Sequence, residues 1–163
     1  MVVKNKTGLF NGRRVSKDSL IINALGALDE ANSWLGVIGG FPGIQKDLMV
    51  ISSLIAGAKP EFPLSKTARL EKEIDNLEKK LPKLTGFIVP AGKGAGLHYA
   101  RALVRRAERF LVSLSQIQDT SPNILTYINR LSGYLYLKAR EKNSKNATIN
   151  HARLSGKGDK TQN

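Results

Sequence analysis

The chain is 163 residues long, carries 26 lysines and arginines against 13 aspartates and glutamates for a formal charge of +13, and has no cysteine. That length suits one domain able to bury a core without staples, and the lack of cysteine excludes disulfides and thiolate metal sites. No apolar run approaches the ~20 residues of a membrane span and no signal-peptide core stands at the N-terminus, so a cytoplasmic protein with an anionic partner is expected.

The first expected element is a helix capped by Ser16, with Leu20, Ala24, Ala27, Leu28, Ala31, Leu35 and Ile38 at helical spacing. Gly39-Gly40 and Pro42 stop it. A second helix is expected over residues 44–58, with Leu48, Ile51, Leu54 and Ile55 inward and Pro60 at its end. The third, over 65–81, sets a narrow stripe of Leu70, Ile74, Leu77 and Leu81 among Glu71, Lys72, Asp75, Glu78 and Lys79. Glycines and prolines between Pro82 and Gly96 forbid regular helix, yet Phe87-Ile88-Val89 gives this loop an apolar centre. Such a centre either tucks into a core or meets a ligand. The fourth helix spans 96–116. The fifth takes Pro122 in its first turn, capped by Ser121, and continues to about Lys142, burying Leu125, Ile128, Leu131 and Leu135.

No strand and no internal repeat are expected. Short links between helices of this length predict an all-α, antiparallel five-helix bundle, a single domain over residues 1–141. Residues 142–163, rich in Asn, Ser, Gly and Lys without apolar periodicity, read as a disordered basic tail. His98 and His151 lie far apart, with no second ligand at metal spacing, so no metal site is expected.

The most informative run is Arg101-Ala102-Leu103-Val104-Arg105-Arg106-Ala107-Glu108-Arg109. On a helix, Arg101, Arg105, Glu108 and Arg109 share one side, beside an apolar stripe of Leu97, Ala100, Val104, Ala107, Leu111 and Leu114. Guanidinium presents a rigid fork of donors to phosphate, so arginines packed this densely suit a polyanion; the plain alternative is a positively charged surface helix.

Three segments together resemble one family. Gly26-Ala27-Leu28-Asp29-Glu30-Ala31-Asn32-Ser33 is similar to its G-T-x-D-E-L-N-S signature. Phe87-Ile88-Val89-Pro90, and then Ala100-Arg101 with Arg105-Arg106-Ala107-Glu108-Arg109, resemble its F-[IV]-L-P-G-G and A-R-x-x-x-R-R-A-E-R motifs. Asn129-Arg130-Leu131-Ser132 resembles N-R-L-S-D. In this order and spacing, from about Thr7 to Glu141, the chain is similar to the PduO-type ATP:cob(I)alamin adenosyltransferases.

The resemblance implies a homotrimer of five-helix bundles with active sites between subunits, taking ATP with Mg2+ and cobalamin and moving the 5'-deoxyadenosyl group to cob(I)alamin. It implies that Arg105, Arg106 and Arg109 act on the triphosphate with Lys17, and that Thr7 and Gly8 belong to the phosphate-binding loop. Glu108 and Asn129 would orient the nucleotide, Asp29 would pair with Arg101 across the subunit boundary, and Phe87 would press on the lower corrin face. Asp29 and Asn129 also read as partners of their helix neighbours, Phe87 as core, and His98 as a structural bundle residue.

The chain departs from the pattern in places. Its N-terminal phosphate-binding segment is short, Ala91 stands where glycine is usual, and Gly133 replaces the acidic end of N-R-L-S-D. The short segment motivates a second function, a non-catalytic corrinoid or nucleotide carrier. The net charge motivates a third, nucleic-acid binding, against which stands the absence of interleaved aromatics and of a helix-turn-helix pattern.

Overall fold

The computed structural model describes residues 5–59, 61–84 and 86–144. Its helices are α1 (Leu20–Ile38), α2 (Pro42–Ile55), α3 (Leu64–Lys80), α4 (Ala95–Ser115) and α5 (Pro122–Ser144), with a single 3₁₀ turn at Gly92–Gly94 before α4. A hairpin of β1 (Lys6–Gly8) and β2 (Arg14–Ser16) precedes them, pairing Thr7 with Val15.

The hairpin corrects the expectation of no strand. Each strand is three residues long, too short for alternation to register, and the usable signal was the Asn11-Gly12 turn dipeptide, whose glycine has φ +80°. Ser16 is therefore strand rather than cap. The helix starts after Ser19, whose hydroxyl donates to the Ser16 carbonyl oxygen (2.7 Å) and leaves the cap bond unmade. Pro42 opens α2 instead of only closing α1, because its missing N–H costs nothing in a first turn. Gly39, with a positive φ (+69°) and an extended ψ that glycine alone adopts easily, turns the chain between them. At the other end α2 stops at Ile55, and α5 runs on to Ser144, so residues 142–144 of the expected tail are helical. The rest of that tail lies outside the described residues.

Helix α4 is the centre of the bundle, packed between α1 and α5, with α2 against α1 and α3 against α5. Its apolar stripe is buried as the periodicity predicts, from Leu97 through Leu114. Contacts of Gly96 with Ile38, Tyr99 with Trp34, and Arg106 with Glu30 show α1 and α4 running antiparallel. Glu108 with Asn129 and Gly94 with Asn143 show the same for α4 and α5. Helix α3 runs the same way as α5, from Phe62 beside Tyr127 to Pro82 beside Arg140. The core gathers Leu28, Leu35, Leu48, Ile51, Leu111, Ile128, Leu131 and Leu135. In α5 Ile124 is buried, whereas Leu125 is only half-buried.

One polar knot lies inside. The buried Asp47 carboxylate accepts from Lys66 Nζ (2.7 Å), Arg69 Nη2 (2.8 Å) and Tyr127 Oη (2.9 Å), tying α2, α3 and α5. Burial and the neighbouring Asp47 charge push the Tyr127 phenol far up, so it stays a donor.

Candidate active site

Helix α4 displays its polar residues toward two neighbouring helices and toward solvent. Toward α1, Arg106 forms an ion pair with Glu30. Toward α5, Glu108 Oε1 accepts from Asn129 Nδ2 at 2.8 Å, and Arg101 lies over the Tyr136 ring, 5.4 Å from its centroid. Between these flanks Arg105 and Arg109 point outward and are exposed; Arg109 Nη1 donates to the Arg105 carbonyl oxygen (3.1 Å). Among the described residues neither Arg105 nor Arg109 has an ion-pair partner. This strip is a fixed row of cations beside a carboxylate–amide pair, an arrangement that can hold a polyphosphate and orient what is attached to it.

Asp29 precedes the paired Glu30 and is exposed, with no ion pair among the described residues. It does not meet Arg101 within the chain. Thr7, Gly8 and Lys17 lie at the hairpin, where Lys17 N–H donates to the Asn5 carbonyl oxygen (2.9 Å), and make no hydrogen bond or ion pair with α4 among the described residues. The single chain thus brings together Glu108 with Asn129, and Arg106 with the acidic motif of α1. Among the described residues Asp29, Thr7, Gly8 and Lys17 make no hydrogen bond or ion pair with the strip.

Phe87 is 89 % exposed and Val89 53 %, so the apolar centre of this loop stands in solvent; the core alternative for Phe87 is corrected. The loop's two ends are tied to α5. Arg140 Nη2 donates to the Pro82 carbonyl oxygen at 2.5 Å, and Asn143 accepts from the Gly94 N–H (2.7 Å) while donating to the Ala91 carbonyl oxygen (3.1 Å). The sequence reading missed both side chains, together with Tyr136, which both Arg101 and Arg140 overlie. Their spacing of i, i+4 and i+7 on one helix face was the available signal.

Beneath the start of the loop a cleft of about 430 Å³ opens between α3 and α5, lined by Leu84, Asn129, Gly133, Tyr136 and Arg140. A Cβ at Gly133 would meet nothing within 4 Å, so packing does not require this mid-helix glycine. His98 is buried against Tyr136, and burial followed by the Arg101 charge lowers its pKa; the neutral ring fits a bundle residue. Among the described residues no three His, Asp or Glu side chains gather to hold a metal ion, and no helix is long and apolar enough to cross a membrane.

A family model described as cobalamin adenosyltransferase matches residues 4–142. The corrinoid adenosyltransferase of Bacillus subtilis is 33 % identical over 162 residues, covering 87 % of this chain and 83 % of that protein. The corrinoid adenosyltransferase MMAB of Bos taurus is 34 % identical over 161 residues, covering 84 % of this chain and 67 % of that protein. Among solved structures, a variant PduO-type ATP:corrinoid adenosyltransferase from Lactobacillus reuteri, complexed with cobalamin and ATP, superposes with a TM-score of 0.81 at 28 % identity. It covers 86 % of this chain and 87 % of its own.

Proposed function

The chain belongs to the cobalamin adenosyltransferase family, and from that premise we propose how its own residues perform the transfer. The enzyme moves the 5'-deoxyadenosyl group of ATP onto cob(I)alamin. An electron pair on cobalt attacks C5'; the Co–C bond forms as the C5'–O bond breaks, and negative charge collects on the departing triphosphate. The corrinoid is itself the nucleophile, so the protein supplies placement and charge stabilisation.

The observation that carries this reading is the outward strip of α4, where Arg105 and Arg109 stand without acidic partners among the described residues, beside a preformed Glu108–Asn129 pair. Arg105, Arg109 and Arg106 neutralise the triphosphate, helped by Lys17, with Thr7 and Gly8 contributing hairpin backbone. Mg2+ would come with the nucleotide and would add to the neutralisation of the triphosphate that Arg105, Arg106, Arg109 and Lys17 supply. Glu108 and Asn129 orient the adenosine. Phe87, already in solvent, presses on the lower corrin face and excludes an axial ligand below cobalt.

The residues left apart in one chain fit a homotrimer whose sites lie between subunits. Asp29 of one subunit then meets Arg101 of the next, and the exposed Val37 of α1 and Val112 of α4 gain cover. The catalytic unit is one bundle domain over residues 1–141, carried through the end of α5. The cytoplasm, where ATP is supplied, is its compartment.

The test is an ultraviolet-visible assay under reducing conditions with Mg-ATP and cob(I)alamin. Adenosylcobalamin and triphosphate are the expected products, in equal amounts. Binding of either ligand without turnover would favour the carrier reading, and nucleic-acid binding without either would favour the third.

A further inference from the structure

The loop that carries Phe87 is fastened at both ends by one turn of α5. On the near side Arg140 Nη2 reaches the Pro82 carbonyl oxygen. On the far side the Asn143 amide makes two bonds of opposite polarity, accepting from Gly94 N–H (2.7 Å) and donating to Ala91 O (3.1 Å). An amide is suited to this, because only it offers an acceptor and donors on one short planar group. The fit is close: a Cβ at Gly94 would lie 2.5 Å from the Ala139 carbonyl oxygen, so the loop backbone touches the helix there. Between these two fastenings Phe87 is exposed. Gly92, with φ +70°, turns the chain inside the clamp.

We propose that Asn143, assisted by Arg140, is a positioning residue for the corrinoid half of the reaction, holding residues 86–94 so that Phe87 is presented to the corrin face in one place. This rests on the reading of Phe87 given above. An exposed loop with an unfastened apolar tip would sample many positions, and the ring would have to be ordered during binding. The clamp makes that ordering part of folding. The same turn reaches toward the arginine strip, since Arg140 and Arg101 both overlie Tyr136, at 5.8 and 5.4 Å from its centroid.

The experiment compares wild type, Asn143→Ala, Asn143→Asp and Phe87→Ala in the full chain. Four readouts are taken: hydrogen exchange at the Gly94 amide, melting temperature, the four-coordinate cob(II)alamin signal with ATP bound, and turnover. Turnover is measured from cob(II)alamin with an external one-electron donor and from chemically pre-reduced cob(I)alamin.

In Asn143→Ala the Gly94 amide should exchange faster while the α4 interior stays protected. The four-coordinate signal should fall, and turnover from cob(II)alamin should drop about tenfold through kcat more than KM, since misplacement of this kind is costly. Turnover of pre-reduced cob(I)alamin should fall less. Asn143→Asp, which can still accept from Gly94 but cannot donate to Ala91, should lie between. Wild-type turnover and signal in Asn143→Ala, beside an impaired Phe87→Ala, would overturn the positioning role. So would unchanged exchange at Gly94, or an equal loss of both reactions in step with melting. A wild-type Phe87→Ala would sink the corrin-facing reading itself, a separate failure. Should Asn143→Ala not fold, Asn143→Asp carries the same comparison.

Discussion

Two clusters of charge in this molecule have opposite accounts. At Asp47 each oxygen of a buried carboxylate has a partner: Lys66 on one, Arg69 and Tyr127 on the other, all from the same chain. On the outer strip of α4, Arg105 and Arg109 face water without an acidic partner among the described residues, and Asp29 of α1 is likewise unpaired. The first cluster is complete when the chain folds. On the function proposed above, the second is complete only when the triphosphate arrives. Cations kept close together repel, so an uncompensated row that the fold holds in register signals a polyanion from outside. Between the extremes lies Glu108–Asn129, paired within the chain yet at the edge of the strip.

The contrast breaks most visibly at Arg105. Arg105→Ala should lower adenosyl transfer at least about a hundredfold, about 3 kcal/mol of transition-state stabilisation. Its melting temperature should stay near that of wild type, because the side chain is exposed and pairs with no acid among the described residues. A variant that loses stability instead would move Arg105 into the structural cluster. Asp47→Ala should show the reverse, losing about 2–3 kcal/mol of stability because Tyr127 Oη is left buried without its acceptor. Activity per folded molecule should hold, and chemical denaturation alongside the assay separates the two quantities. The cost stays moderate because Lys66 and Arg69 can return to water, their side chains being 38 % and 52 % exposed.

Asp29→Ala sharpens the question of what completes the open cluster. If a second subunit supplies Arg101, sedimentation should show a trimer whose dissociation constant rises about tenfold in the variant. A wild-type trimer with full activity would place Asp29 outside the interface. The smallest effect concerns His98. Its folded pKa is lowered by burial and then by Arg101, so above pH 6.5 the ring is neutral in both folded and unfolded chains. As pH falls through 6.5 the unfolded chain takes up the proton first, and stability declines until the folded pKa is passed. His98→Phe should flatten that part of the stability–pH curve; an unchanged slope would assign the decline to other groups.

Much of the architecture was readable because the helices are amphipathic. The α4 stripe from Leu97 to Leu114 is buried residue for residue, whereas the pairing of Glu108 with Asn129 across two helices was visible only in the structure. The misreadings cluster where local signals compete. Pro42 serves two helices at once, the hairpin strands are too short to show a period, and the one-residue exchange of Ile124 for Leu125 in the core reflects rotation of α5 that spacing alone leaves open. Asn143 was missed for a different reason. It follows the last clear apolar period, so composition grouped it with the tail, whereas its role comes from two carbonyl and amide groups about fifty residues away in the chain.

Periodicity, turn chemistry and the arginine run therefore determined that this chain forms five helices and carries a row of cations on the fourth; those are local properties set by the spacing of side chains along one helix. Which cations remain unpaired, which loop stands in solvent and what holds it were decided only in three dimensions. Arg106 and Arg105 are adjacent in the chain and chemically alike, yet only Arg106 meets Glu30. The helix turns about 100° between one residue and the next, and only the packing of α1 and α5 determines what waits on each side.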